Sequence, residues 1–287
     1  MESLLPGGWS AVLVLSAWFV FFYFYHGLGI TLGYHRLLTH KSLVVPDWLK
    51  YLIVSGGYLC LMGSPVVWVG VHRLHHQKAD IPGEDPHAPE EGFFHALLGW
   101  MTKMSRIQSD EELKKQVKDL LADPVFRLLG DTHSPKPAVM CLAICILYRL
   151  VLFLLFGTGV LVMNLIATFT VFFAPQMVNT ICHIPSLGYR NFQTKDKSRN
   201  VWWVGLLALG EGWHNNHHAI PTSARHGMRW FELDVTWMAV WLLERLGLAK
   251  NVVRPGRSPV AVESAAVDAP VLEPVSTSGR SSRRRRH

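Results

Sequence analysis

Charged residues are scarce in this sequence, and positive charge is missing from its first part. Asp, Glu, Lys and Arg make up 17% of the 287 residues, against about 25% in a typical soluble domain. None of the 28 Lys and Arg residues precedes Arg36. Hydrophobic residues, 49% of the chain, are gathered into uninterrupted blocks. This distribution excludes an ordinary soluble globule and indicates a membrane protein.

Cysteine and linker sequence are also in short supply. The four cysteines all lie in apolar stretches without CxxC spacing: Cys60, Cys141, Cys145 and Cys182. This argues against a disulfide framework or a thiolate zinc site. Because no linker-like segment precedes residue 251, we expect one domain over residues 1–253. Residues 254–287 are rich in Pro, Ser, Val and Ala and end in an arginine run, which predicts a disordered basic tail.

Three apolar blocks are long enough to cross a bilayer, which takes about 20 residues. The first spans residues 9–34, and it lacks the basic start and small-residue end of a cleaved signal peptide. Residues 138–156 and 160–178 are separated by Gly157-Thr158-Gly159, which predicts a helical hairpin. Arg149 is the one charge inside this hairpin, and we interpret it as snorkelling or capping rather than as functional.

Two other segments predict helices outside these blocks. Residues 49–71 form a fourth apolar block that contains Gly56, Gly57, Gly63 and Pro65, so it fits either a span or a helix in the membrane interface. Ser109 and Glu112 have the spacing of a capping box, and apolar residues follow at helical intervals. This pattern predicts an amphipathic surface helix over residues 110–122.

Fifteen histidines are unusual for a chain of this kind, and many of them fall into three clusters. The clusters are His35-Arg36-Leu37-Leu38-Thr39-His40, His72-Arg73-Leu74-His75-His76 and His214-Asn215-Asn216-His217-His218. On an α-helix, each HxxHH run would present three imidazoles towards a common point. His35 and His40 would diverge by about 140°, so they converge only if the helix ends between them.

The histidine clusters indicate metal binding, because so many imidazoles are costly to bury without a ligand. Asn179 and His183 form a further i, i+4 pair where the hairpin leaves the membrane. Imidazole suits iron, zinc, copper and nickel, and eight or nine ligands are too many for one ion, so two metals are expected. Four acidic residues lie near the clusters and could orient imidazole N–H groups: Asp80, Glu84, Asp85 and Glu211. Four isolated histidines are interpreted as hydrogen-bonded core residues: His26, His95, His133 and His226.

These motifs resemble those of the integral-membrane fatty acid desaturases, in the Δ9-type branch of acyl-CoA and glycerolipid enzymes. HRLLTH is similar to the HxxxxH box of the family, and HRLHH and HNNHH are similar to its two HxxHH boxes. Asp85-Pro86-His87 with Gly92-Phe93-Phe94 resembles its DPH and GFF segment. Residues 198–203 and 211–213 resemble the approach to its third box. The resemblance runs from about Gly29 to about Val253.

The resemblance implies an all-α membrane bundle whose cytoplasmic helical cap holds a non-haem di-iron centre. Nine histidines would be its ligands: His35, His40, His72, His75, His76, His183, His214, His217 and His218. Asn179 would act through a water, and three residues would lie behind the ligands: Asp85, His87 and Glu211.

The activity implied is the O2-dependent introduction of a cis double bond, of Δ9 type, into a long saturated acyl chain. The sequence shows no nucleotide-binding fingerprint and no fused haem domain. Electrons would therefore come from an external carrier of the ferredoxin or cytochrome b5 type with its reductase. Gly70 and Val71 stand where acyl-CoA enzymes carry an Arg-Asp pair, which favours a lipid-linked chain over CoA. The lipid bilayer is a further expected partner, and nucleic acid is not expected.

Two alternatives use the same histidines. A membrane hydroxylase or ketolase would share the metal chemistry but insert oxygen, so its product would gain 16 mass units instead of losing 2. A metal transporter would place its ligands near the bilayer midplane, whereas these histidines flank the apolar blocks. The desaturase hypothesis is therefore preferred.

The predicted topology follows from bringing all three boxes to one side of the membrane. A crossing by residues 49–71 would put His40 and His72 on opposite faces, so this block is predicted to be interfacial or re-entrant. Three crossings remain, with the N-terminus outside and the histidines in the cytoplasm, and in a bacterium the membrane would be the plasma membrane. The outer segments, residues 1–8 and 157–159, contain no Lys or Arg, as the positive-inside rule requires. Gly29 and Gly33 are interpreted as a helix-packing face.

Overall fold

The computed structural model describes residues 8–88 and 91–256. The predicted tail, except for its first residues, and the outer segment before residue 8 lie outside the described residues. The described part is all-α, with no strand beyond three isolated bridge pairings. Its helices are α1 (Trp9–Leu28), a π-helix (Gly29–Thr39), α2 (Asp47–Leu59), α3 (Pro65–Lys78), α4 (Phe93–Leu97), a 3₁₀ helix (Gly99–Thr102), α5 (Met104–Ile107), α6 (Asp110–Gln116), α7 (Lys118–Leu121), α8 (Pro124–Leu128), α9 (Pro135–Ile181), α10 (Trp202–Leu207), α11 (His214–Ala219) and α12 (Val235–Arg245).

Within the described residues, two helices are long and apolar enough to cross a membrane. One is the continuous 30-residue helix Ser10–Thr39, and the other is the 47-residue α9. Residues 49–71 do not form one helix. They are divided between α2 and α3 by a break at residues 60–64, where Leu61 and Gly63 have positive φ angles of 65° and 72°. Ser64 and Pro65 then begin α3 as its N-cap and first helical residue.

The long helix α9 folds back on itself. Gly157 interrupts it with φ 80° and ψ −176°, a conformation that favours glycine. Arg149 donates a hydrogen bond to Thr168 Oγ1 over 2.9 Å, although 19 residues would span roughly 28 Å in a straight helix. The two arms are therefore antiparallel, as the sequence predicts. Arg149 also donates to the carbonyl of Leu59 at the end of α2, which agrees with a capping role.

Gly29 lets the first membrane helix approach α2 closely. A Cβ atom at Gly29 would lie 2.4 Å from the backbone of Gly56 and Gly57, and one at Gly33 would lie 3.1 Å from the Ile53 side chain. The predicted packing face is thus confirmed, and its partner is α2.

We expect Gly29→Ala to destabilise the protein by overpacking, by about 1–3 kcal/mol or more. The neighbouring atoms are backbone and cannot rotate away. Ala17→Val is the matched control, because Ala17 is exposed on α1 and added carbons there meet no packed neighbour. Melting temperatures of the purified variants in one detergent compare the two. Equal melting of Gly29→Ala and wild type would refute the close contact.

The predicted amphipathic segment is present, with one interruption. Ser109 and Glu112 form the capping box at the start of α6, and the helix breaks at Val117 before α7 begins. Leu113, Val117 and Leu120 are buried against the same core as α3. Their packing covers the helix that carries the second histidine box.

Candidate metal centre

Nine histidines from four parts of the chain meet in two adjacent clusters. In each cluster, one side-chain nitrogen of every histidine lies within 4.8 Å of the others. The five-histidine cluster contains His35, His40, His72, His76 and His217. The four-histidine cluster contains His75, His183, His214 and His218. These are the nine histidines singled out in the sequence.

Each HxxHH helix divides its histidines between the two clusters. Helix α3 sends His72 and His76 to the five-histidine cluster and His75 to the four-histidine cluster. Helix α11 sends His214 and His218 to the four-histidine cluster and His217 to the five-histidine cluster. The expectation that three imidazoles share one point was wrong. With 3.6 residues per turn, positions i and i+4 differ by about 40°, whereas i+3 and i+4 differ by about 100°.

The first histidine box lies at the end of the π-helix. The backbone N–H of His40 donates to the carbonyl of His35 over 3.1 Å, which is the i→i+5 pattern of a π-helix. This winding places residues five apart on the same side, and the two rings lie 4.7 Å apart. The helix ends at Thr39, with His40 as its C-cap, so it ends between the two histidines as the sequence predicts. The π winding of its last turns was not predicted.

Some imidazole nitrogens lie close to two others, which suits a shared metal ion better than hydrogen bonds because each ring nitrogen offers one hydrogen or one lone pair. The Nε2 atom of His214 lies 3.0 Å from that of His183 and 3.0 Å from that of His218. His217 Nε2 has the same kind of contact with His35 and His76, at 3.1 Å and 2.9 Å. Two nitrogens bound at right angles to one ion at about 2.1 Å are about 3.0 Å apart. The buried Nε2 atoms of His40 and His75 have no hydrogen-bond partner, so the residues present fit two metal ions.

Burial keeps most of these rings in the neutral form that binds metals. Burial lowers the pKa of four of them, and neighbouring imidazoles lower it further: His72, His76, His214 and His217. Burial also lowers the pKa of His218, to about 4, although its hydrogen bond with Asp196 raises it. Neutral imidazole donors in an oxygen-poor shell suit iron, zinc, copper or nickel rather than magnesium or calcium.

Carboxylates hold the outward-facing nitrogens of four ligand candidates. The Nδ1 atoms of His75, His183 and His218 each lie 2.9 Å from an aspartate oxygen, and His35 Nδ1 lies 2.7 Å from Glu211. The aspartates are, in the same order, Asp85, Asp80 and Asp196. Such bonds fix the tautomer and ring orientation of a metal-binding histidine.

Sequence reasoning identified three of these carboxylates and missed Asp196. Asp196 lies in the loop before α10 and belongs to no recognisable motif. Glu84, which was also considered, pairs with Lys78 on the surface instead. His87 is 2% exposed, and its ring lies 5.3 Å from that of His75. Asn179 is buried near the end of α9 and lines both cavities that meet at the clusters.

A buried ion network supports the five-histidine cluster from behind. The Arg36 guanidinium, which is 0% exposed, donates to Glu211 over 2.9 Å and to Asp234 over 2.8 Å. His226 Nδ1 lies 3.0 Å from Glu211, and its ring centre lies 4.5 Å from that of His217. His226 is hydrogen-bonded and buried, as expected, but it belongs to the site and not to a remote core. No motif spacing indicated this.

Two cavities meet at the histidine clusters. The first is apolar and runs from His35, His72 and His214 between the π-helix and the second arm of α9 to Tyr23 and Leu207. The second extends towards Trp100, His133 and Gln176, near the ends of α9. Both are lined by Trp68, His72, Pro175 and Asn179. A long, flexible apolar ligand could therefore pass the clusters with one end in each cavity.

Comparison with known proteins gives one consistent family. A sequence model described as fatty acid desaturase matches residues 7–248. An sn-1 stearoyl-lipid 9-desaturase of Anabaena variabilis is 41% identical over 245 residues, which are 85% of this chain and 84% of the relative. A protein of the same name from Synechocystis sp. is 39% identical, over 82% of this chain and 70% of the relative. An sn-2 palmitoyl-lipid 9-desaturase of Nostoc sp. is 38% identical, over 86% and 87%.

Proposed function

Because the chain belongs to the fatty acid desaturase family, an oxidoreductase family of lipid metabolism, we propose that it introduces a cis double bond at position 9 of a lipid-linked, long saturated acyl chain. Its –CH2–CH2– unit, O2, two electrons and two protons give a –CH=CH– unit and two waters. The observation that carries this proposal is the pair of histidine clusters at the meeting point of the two cavities. Three relatives are named as lipid 9-desaturases, which supports carbon 9 as the position of the double bond.

The metal centre is proposed to hold two iron ions, one in each cluster. The nine histidines would hold the ions directly, and Asn179 would complete the shell through a water. Bound iron would supply the O2-dependent oxidation of an unactivated chain, which no amino-acid side chain can perform. Asp80, Asp85, Asp196 and Glu211 hold the imidazoles in place.

The chain's own residues position the substrate. Trp68 lines both cavities, and its ring stacks on that of His72 with centres 5.0 Å apart. Trp68 thus forms a wall where the two cavities meet, and it limits which C–C bond can approach the clusters. The apolar lining of the first cavity excludes water from the methyl half of the acyl chain.

A lipid carrier fits the site better than CoA does. Of the residues that the structure describes, none lining either cavity is Lys or Arg, so the lining offers no cation for a CoA phosphate. Gly70 packs against Leu113, and a Cβ atom there would lie 2.1 Å from Leu113 Cδ1. A charged side chain at this position would have to displace the Leu113 side chain from the packing between α3 and α6.

We expect Tyr23→Ala to lengthen the acyl chains that the enzyme accepts. Tyr23 lines the first cavity, about 18 Å along the helix from His35, and its hydroxyl donates to the Leu207 carbonyl across the cavity end. Removing the ring opens space beyond the methyl terminus. Chromatography of product methyl esters should show more desaturated C20 relative to C18, and an unchanged ratio would remove Tyr23 from the cavity end.

The proposed topology has three crossings, made by the helix Ser10–Thr39 and the two arms of α9, with the histidines in the cytoplasm. Gly157 would then lie outside, where Thr158 is exposed. We expect Thr158→Cys to react with an impermeant maleimide in intact cells and Ser186→Cys, on the histidine side, to react only after lysis. The four native cysteines are buried and give a low background. External labelling at position 186 would contradict this topology.

The experiment that tests the function is lipid analysis after expression in a host without desaturases. The proposal predicts acyl chains 2 mass units lighter, with the double bond at carbon 9 in intact lipids. Products 16 units heavier would establish a hydroxylase instead. The absence of any new acyl species in cells that contain the folded, iron-loaded protein and a reductase system would refute the proposal.

A further inference from the structure

Helix α10 and the turn after it pack against the middle of the first membrane helix. The Leu207 carbonyl accepts a hydrogen bond from Tyr23, and a Cβ atom at Gly27 would lie 2.6 Å from the Leu209 side chain. The membrane helix has 30 residues, and a crossing takes about 20 of them. Residues 20–29 therefore belong to the crossing wherever it is placed along this helix. The end of α10 reaches the same depth.

Helix α12 begins near the end of α10 and runs towards the side of the histidine clusters. Thr236 Oγ1, in the first turn of α12, lies 2.7 Å from Thr31 Oγ1 of the membrane helix. Beyond the other end of α12, the backbone of Lys250 exchanges two hydrogen bonds with that of Val44, which follows the first histidine box. The helix α12 therefore rises from the depth of Thr31 towards the membrane surface.

Both helices expose apolar side chains that no other part of the described chain covers. Six of these side chains are between 43% and 63% exposed: Trp202, Leu206, Leu207, Met238, Trp241 and Leu242. The last three are spaced i, i+3, i+4 along α12, and the exposed Arg245 follows at i+7. The opposite side of α12 is buried at Thr236 and Val240. A helix on a water-exposed surface shows the reverse pattern, with polar residues outward. We call the six residues and Arg245 the α10–α12 face.

The charges beside the α10–α12 face suit phospholipid headgroups. The Arg245 guanidinium lies 5.2 Å from the centre of the Trp241 ring, at the end of α12 that is nearer the histidine clusters. Of the four carboxylates in residues 201–246, three are buried, and the fourth, Glu244, pairs with Arg254. A tryptophan beside an arginine is typical of a membrane interface, where the ring lies at headgroup level and the guanidinium reaches the phosphates.

We propose that the α10–α12 face lies in the cytoplasmic leaflet of the membrane, with α10 among the acyl chains and Arg245 at the lipid phosphates. This rests on the proposed crossing by the helix Ser10–Thr39. The turn after α10, residues 208–213, is buried, as non-helical backbone at membrane depth must be. Because the face is continuous with the membrane helix, lipid is favoured over water or a second copy of the chain as its cover.

Spin labels on single introduced cysteines test this placement in the full-length protein. The protein is placed, one copy per disc, in nanodiscs of phosphatidylcholine and phosphatidylglycerol. Leu206→Cys, Met238→Cys and Arg245→Cys sample the face. Leu147→Cys is the matched reference within the membrane, because Leu147 is 61% exposed on the first arm of α9. Lys115→Cys, exposed on α6, is the aqueous reference. The four native cysteines are buried, and the unsubstituted protein measures their background.

We expect the labels at positions 206 and 238 to collide with O2 more than with a water-soluble nickel complex, because O2 dissolves in hydrocarbon and the complex does not. The ratio of the two collision rates at position 206 should match that of the Leu147 label and exceed that of the Lys115 label severalfold. The ratio should fall from position 206 to 238 and fall further at 245, as α12 rises to the phosphates.

Access of the nickel complex to positions 206 and 238, with position 147 protected, would place the α10–α12 face in water and overturn the proposal while the crossing stands. Low collision rates with both reagents would mean that protein covers the face, which would also overturn it. Nickel access at position 147 would refute the crossing on which the proposal rests. None of these measurements needs turnover, so they test the face even if the chain desaturates no lipid.

Discussion

Replacing His217 by alanine is expected to lower desaturation by more than 100-fold and to reduce the iron content from two ions per chain to one. His217 Nε2 lies 3.1 Å from that of His35 and 2.9 Å from that of His76, so it belongs to the core of the five-histidine cluster. Removing a group that only supports a metal ligand typically lowers metal affinity or activity by about 10–100-fold. Because His217 is itself a ligand candidate in close contact with two others, its removal should lower activity by a larger factor.

The matched control is His95→Gln. His95 is also buried, at 9% exposure, but its Nε2 lies 3.3 Å from a Glu91 carboxylate oxygen and it belongs to neither cluster. Iron content measured by mass spectrometry and lipid products measured by chromatography should be unchanged in this variant. Wild-type iron content and activity in His217→Ala would remove His217 from the centre, and equal losses in both variants would indicate general damage.

Replacing Arg36 by methionine is expected to destabilise the protein by about 3–5 kcal/mol, because it leaves the buried Glu211 and Asp234 carboxylates without their counterion. Arg36 donates to both carboxylates and to the Ala224 carbonyl. The Glu211 side chain also holds His35. The variant should therefore melt about 10 °C lower and lose iron from the five-histidine cluster first.

Arg254→Met provides the comparison for Arg36→Met. Arg254 is exposed and pairs with Glu244 at the surface, where an ion pair contributes about 0–1 kcal/mol. Thermal unfolding of both variants in the same detergent, monitored by tryptophan fluorescence, compares the stability contributed by the buried network with that of the surface ion pair. A Tm of Arg36→Met within 2 °C of wild type would show that the network is not required for stability.

Much of the fold and of the site could be predicted because the informative residues are neighbours in sequence. Gly157 marks the reversal of α9, and the three histidine boxes mark the helices that meet at the clusters. Each of these features is a local pattern of spacing. The packing of Gly29 on α2 was also indicated by small residues four apart.

The rest depends on contacts between distant segments. Asp196 and His226 lie in loops, and only the folded chain brings them to His218 and Glu211. The π-helix was not predicted because, at 3.6 residues per turn, side chains five residues apart point in different directions. The division of each HxxHH run between two clusters follows from the position of both helices between the metal sites, which a single helix cannot reveal.

Anomalous X-ray scattering at the iron K edge, from crystals of the iron-loaded protein, tests the central claim most directly. The account predicts two peaks per chain, one surrounded by His35, His40, His72, His76 and His217 and the other by His75, His183, His214 and His218. A single peak, or a peak among His35, Glu211 and His226 instead of the two clusters, would contradict it.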